Sequence, residues 1–274
     1  MALSWFEHLI YGLISGFAEF LPISAVAHQA IFTTLVGGAD YPWLRLSCHI
    51  GSLMSLLVVL MPILSRMRRE RKMARSPRRR NRQPDIGTMM EIRVFYTTAI
   101  SMLPVFLCYG WVYNLYERLW LLAILLGVNG ILLYVPQFLP SANKRAESMS
   151  GLDGMLIGLS GGLGVVPGFS RVGLAASTAL VQGVDRQYAA DIALLISIPA
   201  LLIFGVLDVI AGIGAAAAIS GSMIFGCITA GAASAVAAYF SIFLVRFLAV
   251  KAGFSGFSYY CWGLALFSLI IYLI

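Results

Sequence analysis

Of 274 residues, 60% are hydrophobic and 11% charged, and 19 Lys and Arg against 12 Asp and Glu leave a formal net charge of +7. No soluble core hides that much apolar surface, so a water-soluble domain is excluded and lipid is the expected solvent. The positive excess does not indicate nucleic acid: most of it lies between Arg66 and Arg82, ten basic residues against the single acid Glu70, and such clusters mark cytoplasmic loops.

The chain opens on MALSWFEHLIYG, without a basic leader region, and no A-x-A cleavage site follows, so a retained N-terminus is expected. A spanning helix needs about 20 mainly apolar residues, which predicts six full spans at 43–64, 92–114, 117–138, 187–211, 219–247 and 255–274. Two further apolar regions, 4–36 and 153–183, are interrupted at EFLPIS and VVPGFSR. Each half is too short to cross alone, and broken segments of this kind are expected to be re-entrant, with their irregular backbone lining a polar cavity. Cys48, Cys108, Cys227 and Cys261 lie scattered in apolar stretches, with neither metal-site nor disulfide spacing, and are expected to pack inertly.

The basic loop places the end of the first full span in the cytoplasm. Alternation then puts Lys144, Arg145, Arg246 and Lys251 inside as well and both termini outside. The resulting fold class is an all-α polytopic membrane protein of two inverted halves, 1–140 and 141–274, each a re-entrant helix pair followed by three spans. Gly16, Pro22 and Ser24 recur as Gly161, Pro167 and Ser170, an offset near 145 residues. Interrupted segments at corresponding places of inverted halves point to a binding site at mid-membrane.

Into those breaks the sequence puts Glu19, Ser24 and His28 from one side and Ser170 and Arg171 from the other. Ionisable groups at membrane depth face a cavity, pair with one another and mark function. A guanidinium beside the N-termini of half-helices makes a phosphate cradle, so an anion is the expected guest. Phosphate release needs a metal held by a carboxylate or a base beside a nucleophile, and Glu19, Ser24 and His28 are the candidates; Glu19 paired with Arg171 is the structural alternative. His49, in CHIGS, is a further candidate, although a lone His in an apolar helix is more often a hydrogen-bonded packing residue. Ser197, before Pro199, is expected to kink its helix.

The segments SGFAEFLPISAVAH and VVPGFSRVG resemble the two signature segments of the undecaprenyl-diphosphate phosphatase, or bacitracin-resistance, family. CHIGSLMSLLVVL and DIALLISIPALLIFGVLDV look like the stretches that follow them. The resemblance implies an integral enzyme that removes the terminal phosphate of undecaprenyl diphosphate at the outer face, assisted by a divalent cation, Mg²⁺ or Ca²⁺. Carried over by position, it implies Glu19 in metal or phosphate binding, His28 as the motif histidine, and Ser170 and Arg171 as the pair that grips phosphate; the expected catalytic set is then His28, Ser24 and Glu19, with Glu19 also the metal ligand, and the expected phosphate-binding set Arg171, Ser170, Gly168 and Gly173. Departures from the family pattern are Ser15 for a second glutamate, Ala25 for the usual candidate nucleophile serine, Val172 and Ala175 for hydroxyl-bearing residues, and Cys261 for an arginine after Tyr259 and Tyr260.

The expected activity is therefore hydrolysis of undecaprenyl diphosphate to undecaprenyl phosphate and inorganic phosphate, at an outward-facing site in the bacterial plasma membrane. The expected partners are the polyprenyl diphosphate substrate, membrane lipids and a second copy of the chain, with no nucleic acid. The competing readings are a homologue that binds polyprenyl phosphate and translocates it without chemistry, and a structural or regulatory membrane subunit.

Overall fold

A computed structural model describes residues 3–37, 41–75, 84–107, 118–140, 142–214, 220–251 and 253–273. Among them the chain forms α1 (Trp5–Phe20), α2 (Ala25–Leu35), α3 (Pro42–Arg75), α4 (Ile86–Phe106), α5 (Leu119–Tyr134), α6 (Gly151–Gly162), α7 (Arg171–Val181), α8 (Arg186–Gly214), α9 (Gly221–Lys251) and α10 (Ser255–Leu273), and no named strand. Among the described residues, five stretches are long and apolar enough to cross a membrane: α3, Leu119–Phe138 (α5 with its last turn), α8, α9 and α10. The protein is a multi-pass membrane protein. Of the remaining expected span, 92–114, the structure describes α4 up to Phe106; Cys108 and the end of that span lie outside the described residues, as does the 76–83 part of the basic loop.

Both interrupted regions fold back as helical hairpins. In the first, the Tyr11 and Phe32 rings stack edge-on at 5.8 Å and Gln29 Nε2 donates to Ser15 Oγ at 3.1 Å, so numbers rise along one arm as they fall along the other. The second shows the same pattern, with Ser160 Oγ donating to Leu174 O at 3.4 Å and Gly164 against Arg171 nearer the tip. Proline sets both breaks. Its ring drives the preceding residue out of the helical region, and Leu21 before Pro22 (φ −77°, ψ 152°) and Val166 before Pro167 (φ −79°, ψ 126°) are both extended.

Each hairpin packs its first arm on a helix distant in the chain. A side chain on Gly12 or Gly16 would strike the α9 backbone at Ala230 and Ser234, and one on Gly158 or Gly162 would strike α4 at Thr98 and Val105. The equivalent N-caps are Ser24 of α2 and Ser170 of α7. Together with Gly12 and Gly158, and Gly16 and Gly162, they run at 146 residues, one position from the offset read through the prolines. The main core lies around α7, where Val172, Ala175, Ala176 and Ala179 are fully buried against Leu194 and Ile196 of α8 and against the first hairpin's Phe20 and Ile23. The outer faces stay apolar, as with Met54, Val58, Val206, Ile210 and Phe240, which is how a helix bundle meets lipid rather than water.

Candidate active site

The two hairpin tips are tied together by their capping serines. Ser24 Oγ caps α2 by accepting from Ala27 N and also accepts from Gly168 N of the other tip at 3.2 Å. Ser170 Oγ caps α7 by accepting from Gly173 N at 3.1 Å and donates its own proton to Leu21 O at 3.1 Å. Asn129 of α5 clamps both tips, its Oδ1 accepting from Ser170 N at 3.0 Å and its Nδ2 donating to Pro22 O at 3.3 Å. Ser24 itself has φ 64°, ψ 96°, a conformation that only the surrounding structure holds for a residue with a side chain.

Behind the tips lies a small cavity lined by polar side chains, among them Glu19, Ser24, Arg45, His49, Arg171 and Asp208. Arg171, at the first position of α7, donates from Nη2 to Glu19 Oε1 at 2.7 Å and from Nε to Ser197 Oγ at 3.1 Å, and its guanidinium stands 5.8 Å from the Phe204 ring centroid. On the other face of the site, Arg45 of α3 grips Asp208 Oδ1 of α8 with Nε and Nη2, both at 2.9 Å, while Asp208 Oδ2 accepts from His49 Nδ1 at 2.7 Å. The His49 ring stacks on Phe204 at 5.4 Å. Both ion pairs are buried, with side-chain exposures of 5% and 6% for Arg171 and Glu19 and 5% and 3% for Arg45 and Asp208. Buried pairs contribute little net stability because desolvation offsets attraction, so two on one cavity wall are better explained by what the cavity receives.

Glu19, Ser24, Ser170, Arg171 and His49 all line this cavity, and His28 does not. His28 Nδ1 donates to Ser24 O at 2.8 Å, since a carbonyl can only accept, which leaves Nε2 to accept from Tyr260 O–H at 2.7 Å. It faces a second, larger and apolar cavity between the first hairpin, α9 and α10, which shares Ala18 with the polar one. The reason is local: one turn into α2, the ring folds back on its own cap. Gly168 and Gly173 also stand apart from the cavity wall, because their N–H groups serve the two serine caps. Ser197 does more than accompany a kink at Pro199, since it donates to Ala193 O at 2.8 Å and accepts from Arg171.

Sequence reasoning missed Arg45, Asp208, Phe204 and Asn129. Asn129 and Asp208, lone polar residues within apolar helices, carried the signal that such residues face a site. Cys261 is fully buried with its thiol 3.6 Å from Pro22 O. Ala25 lines the cavity, and Ser15 is buried in a hydrogen bond with Gln29. As for a divalent cation, no three metal-ligating side chains gather among the described residues. With Glu19 Oε1 on Arg171 and both Asp208 oxygens engaged, the donor set does not fit a protein-only cation cage, and no step below is routed through one.

The arrangement offers an anion the buried Arg171 guanidinium, the N-terminal ends of α2 and α7, and a hydroxyl, Ser24, whose own proton has no protein acceptor among the described residues. The sequence profile of the family described as Bacitracin resistance protein BacA matches residues 8–267. The chain belongs to this family. It is 28% identical over 271 residues to an undecaprenyl-diphosphatase of Carboxydothermus hydrogenoformans, covering 97% of each chain. It is 31% identical over 278 residues to the Treponema denticola protein of that name, covering 96% of this chain and all of the relative. A third relative so named, from Methanococcus maripaludis, is 24% identical over 268 residues, covering 97% of this chain and all of the relative.

Proposed function

We propose that this BacA-family protein is an undecaprenyl-diphosphate phosphatase that releases inorganic phosphate and returns undecaprenyl phosphate to the envelope lipid cycle. The observation that carries the reading is Arg171, buried at the N-terminus of α7 on a polar cavity that also presents Ser24; the names of its relatives supply the substrate class. Arg171 and the α7 N-terminus hold the terminal phosphate. Ser24 attacks phosphorus, Glu19 takes the hydroxyl proton, and the polyprenyl phosphate leaves as the bridging P–O bond breaks; water then hydrolyses the phosphoserine. Ser24 is chosen over Ser170 because the Ser170 proton is already given to Leu21 O. His28 acts through Ser24, fixing its carbonyl and hence the positive-φ turn, and is a positioning residue. The first isoprene units lie in the apolar cavity beyond Ala18. The two inverted halves, the outward-facing site, external termini and a plasma-membrane location complete the reading.

The test is phosphate release from undecaprenyl diphosphate by purified protein, with and without Mg²⁺ or Ca²⁺. A second reading, translocation of polyprenyl phosphate without chemistry, is favoured by Ala25, which puts a methyl on the cavity wall where the family pattern has a hydroxyl. Binding of polyprenyl phosphate through Arg171 without any phosphate release selects that reading instead.

A further inference from the structure

The helix α3 is longer than a bilayer is thick. Its 34 residues rise about 50 Å at about 1.5 Å each, against a hydrocarbon core of about 30 Å, so its basic end stands at the level of lipid headgroups or beyond. Two neighbouring rows run along one face of that end at four-residue steps, Leu64, Arg68 and Lys72 in one and Met67, Arg71 and Arg75 in the next. Each row begins apolar and ends basic. The returning helix α4 lies alongside: Asp85 N donates to Glu70 Oε2 at 3.1 Å and Arg66 Nη2 to Glu91 Oε2 at 2.6 Å, so numbers rise on α4 as they fall on α3. Ile92 and Phe95, which follow Glu91 toward the bilayer, close a groove with the two rows and extend its apolar end.

No acidic side chain lines this groove among the described residues, and the acids nearest it in the chain, Glu70 and Glu91, are already engaged by Asp85 N and Arg66. Arg71 is occupied too, since it donates to the Tyr96 hydroxyl and its guanidinium stands 5.1 Å from that ring's centroid. Arg68, Lys72 and Arg75 are exposed and have no ion-pair partner among the described residues. We propose that the groove binds an anionic phospholipid, with its phosphate on Arg68, Lys72 and Arg75 and the start of one acyl chain along Leu64, Met67, Ile92 and Phe95. An acidic peptide would use the cations but not an apolar floor that runs into the bilayer. A phospholipid presents phosphate and hydrocarbon in the order in which the groove receives them. The inference stands apart from the phosphatase reading, because the groove shares no residue with the cavity behind the hairpin tips.

The experiment titrates the purified full chain with phosphatidylglycerol and with phosphatidylcholine and counts bound lipids by native mass spectrometry. Wild type should prefer phosphatidylglycerol by at least about tenfold. The double variant Arg68→Gln, Lys72→Gln should lose most of that preference, while Arg69→Gln, Arg93→Gln, which removes as much charge beside the groove rather than in it, should keep it within about threefold. All four side chains are exposed, so neither variant opens a buried site. Equal losses in the two variants, or none in the first, reduce the preference to diffuse attraction by a basic surface and overturn the proposal. Neither glycerophosphoglycerol, the headgroup without acyl chains, nor a polyglutamate peptide should displace phosphatidylglycerol at matching concentration. Displacement by the headgroup gives the site to a free anion, displacement by the peptide gives it to an acidic protein segment, and either overturns the proposal. A dimer that forms without bound lipid in wild type and is lost in Arg68→Gln, Lys72→Gln gives the groove to a second copy of the chain and overturns it as well.

Discussion

Glu19 Oε1 and Arg171 Nη2 lie 2.7 Å apart across 152 residues of chain, each side chain almost wholly buried. The contact joins the end of α1 in the first hairpin to the start of α7 in the second. Removing either partner strands a charge in a low-dielectric interior, whereas replacing both with neutral groups removes the problem.

Arg171→Ala should therefore lower stability by about 3 to 5 kcal/mol and weaken polyprenyl phosphate binding at least about tenfold. Adding Glu19→Gln should restore most of the stability and none of the binding. Thermal unfolding and lipid affinity, measured on the same two proteins, separate the roles. Recovered binding in the double variant would mean that Arg171 does not hold phosphate.

The orientation is tested by cysteine accessibility in intact cells, in a background without the native cysteines. A probe cysteine placed at residue 3 should react with an impermeant reagent, and one placed at residue 84, beside the basic segment, should stay protected until the membrane is opened. The reverse pattern would turn the cavity toward the cytoplasm.

His28 separates positioning from proton transfer. Its Nδ1–H holds Ser24 O and its Nε2 is engaged by Tyr260. His28→Ala should lower kcat, and His28→Asn, which keeps a donor near the Nδ1 position, should recover a large part of it with the pH profile unchanged. Equal loss in both variants, with the disappearance of a kinetic limb near the ordinary histidine range, assigns His28 as a base.

The hairpins were legible because proline acts locally: the residue before Pro22 or Pro167 is pushed out of the helix whatever surrounds it. The long helices were legible for the same kind of reason, and α8, expected over 187–211, runs from Arg186 to Gly214. The site was legible only where polar residues crowd a break. Arg45 was not, because a basic residue in the first turn of a span reads as an interfacial anchor, and its pairing with Asp208, 163 residues away, is what the sequence does not display. His28 shows the opposite limit. Spacing put it one turn beyond Ser24, but spacing does not say which way a ring turns, and its own cap carbonyl and Tyr260 decided that.

The two capping serines give the most direct test of the chemistry, because they are alike in place and differ in what their hydroxyls do. Ser170 Oγ accepts from Gly173 N and donates to Leu21 O, so Ser170→Ala removes a helix cap and an inter-tip bond. It should destabilise the protein by about 1 to 2 kcal/mol and leave kcat within a few-fold. Ser24 Oγ also caps its helix, but its proton remains available to the cavity. Ser24→Ala should destabilise comparably and in addition reduce phosphate release at least about a hundredfold with lipid affinity retained, the signature of a group that acts in the transition state. Ala25→Ser then asks whether the neighbouring wall position can supply the hydroxyl. Added to Ser24→Ala it should restore measurable turnover, since residue 25 lines the same cavity at the first position of α2. If Ser24→Ala keeps wild-type turnover, the attacking oxygen is not Ser24, and a water held by Arg171 takes its place.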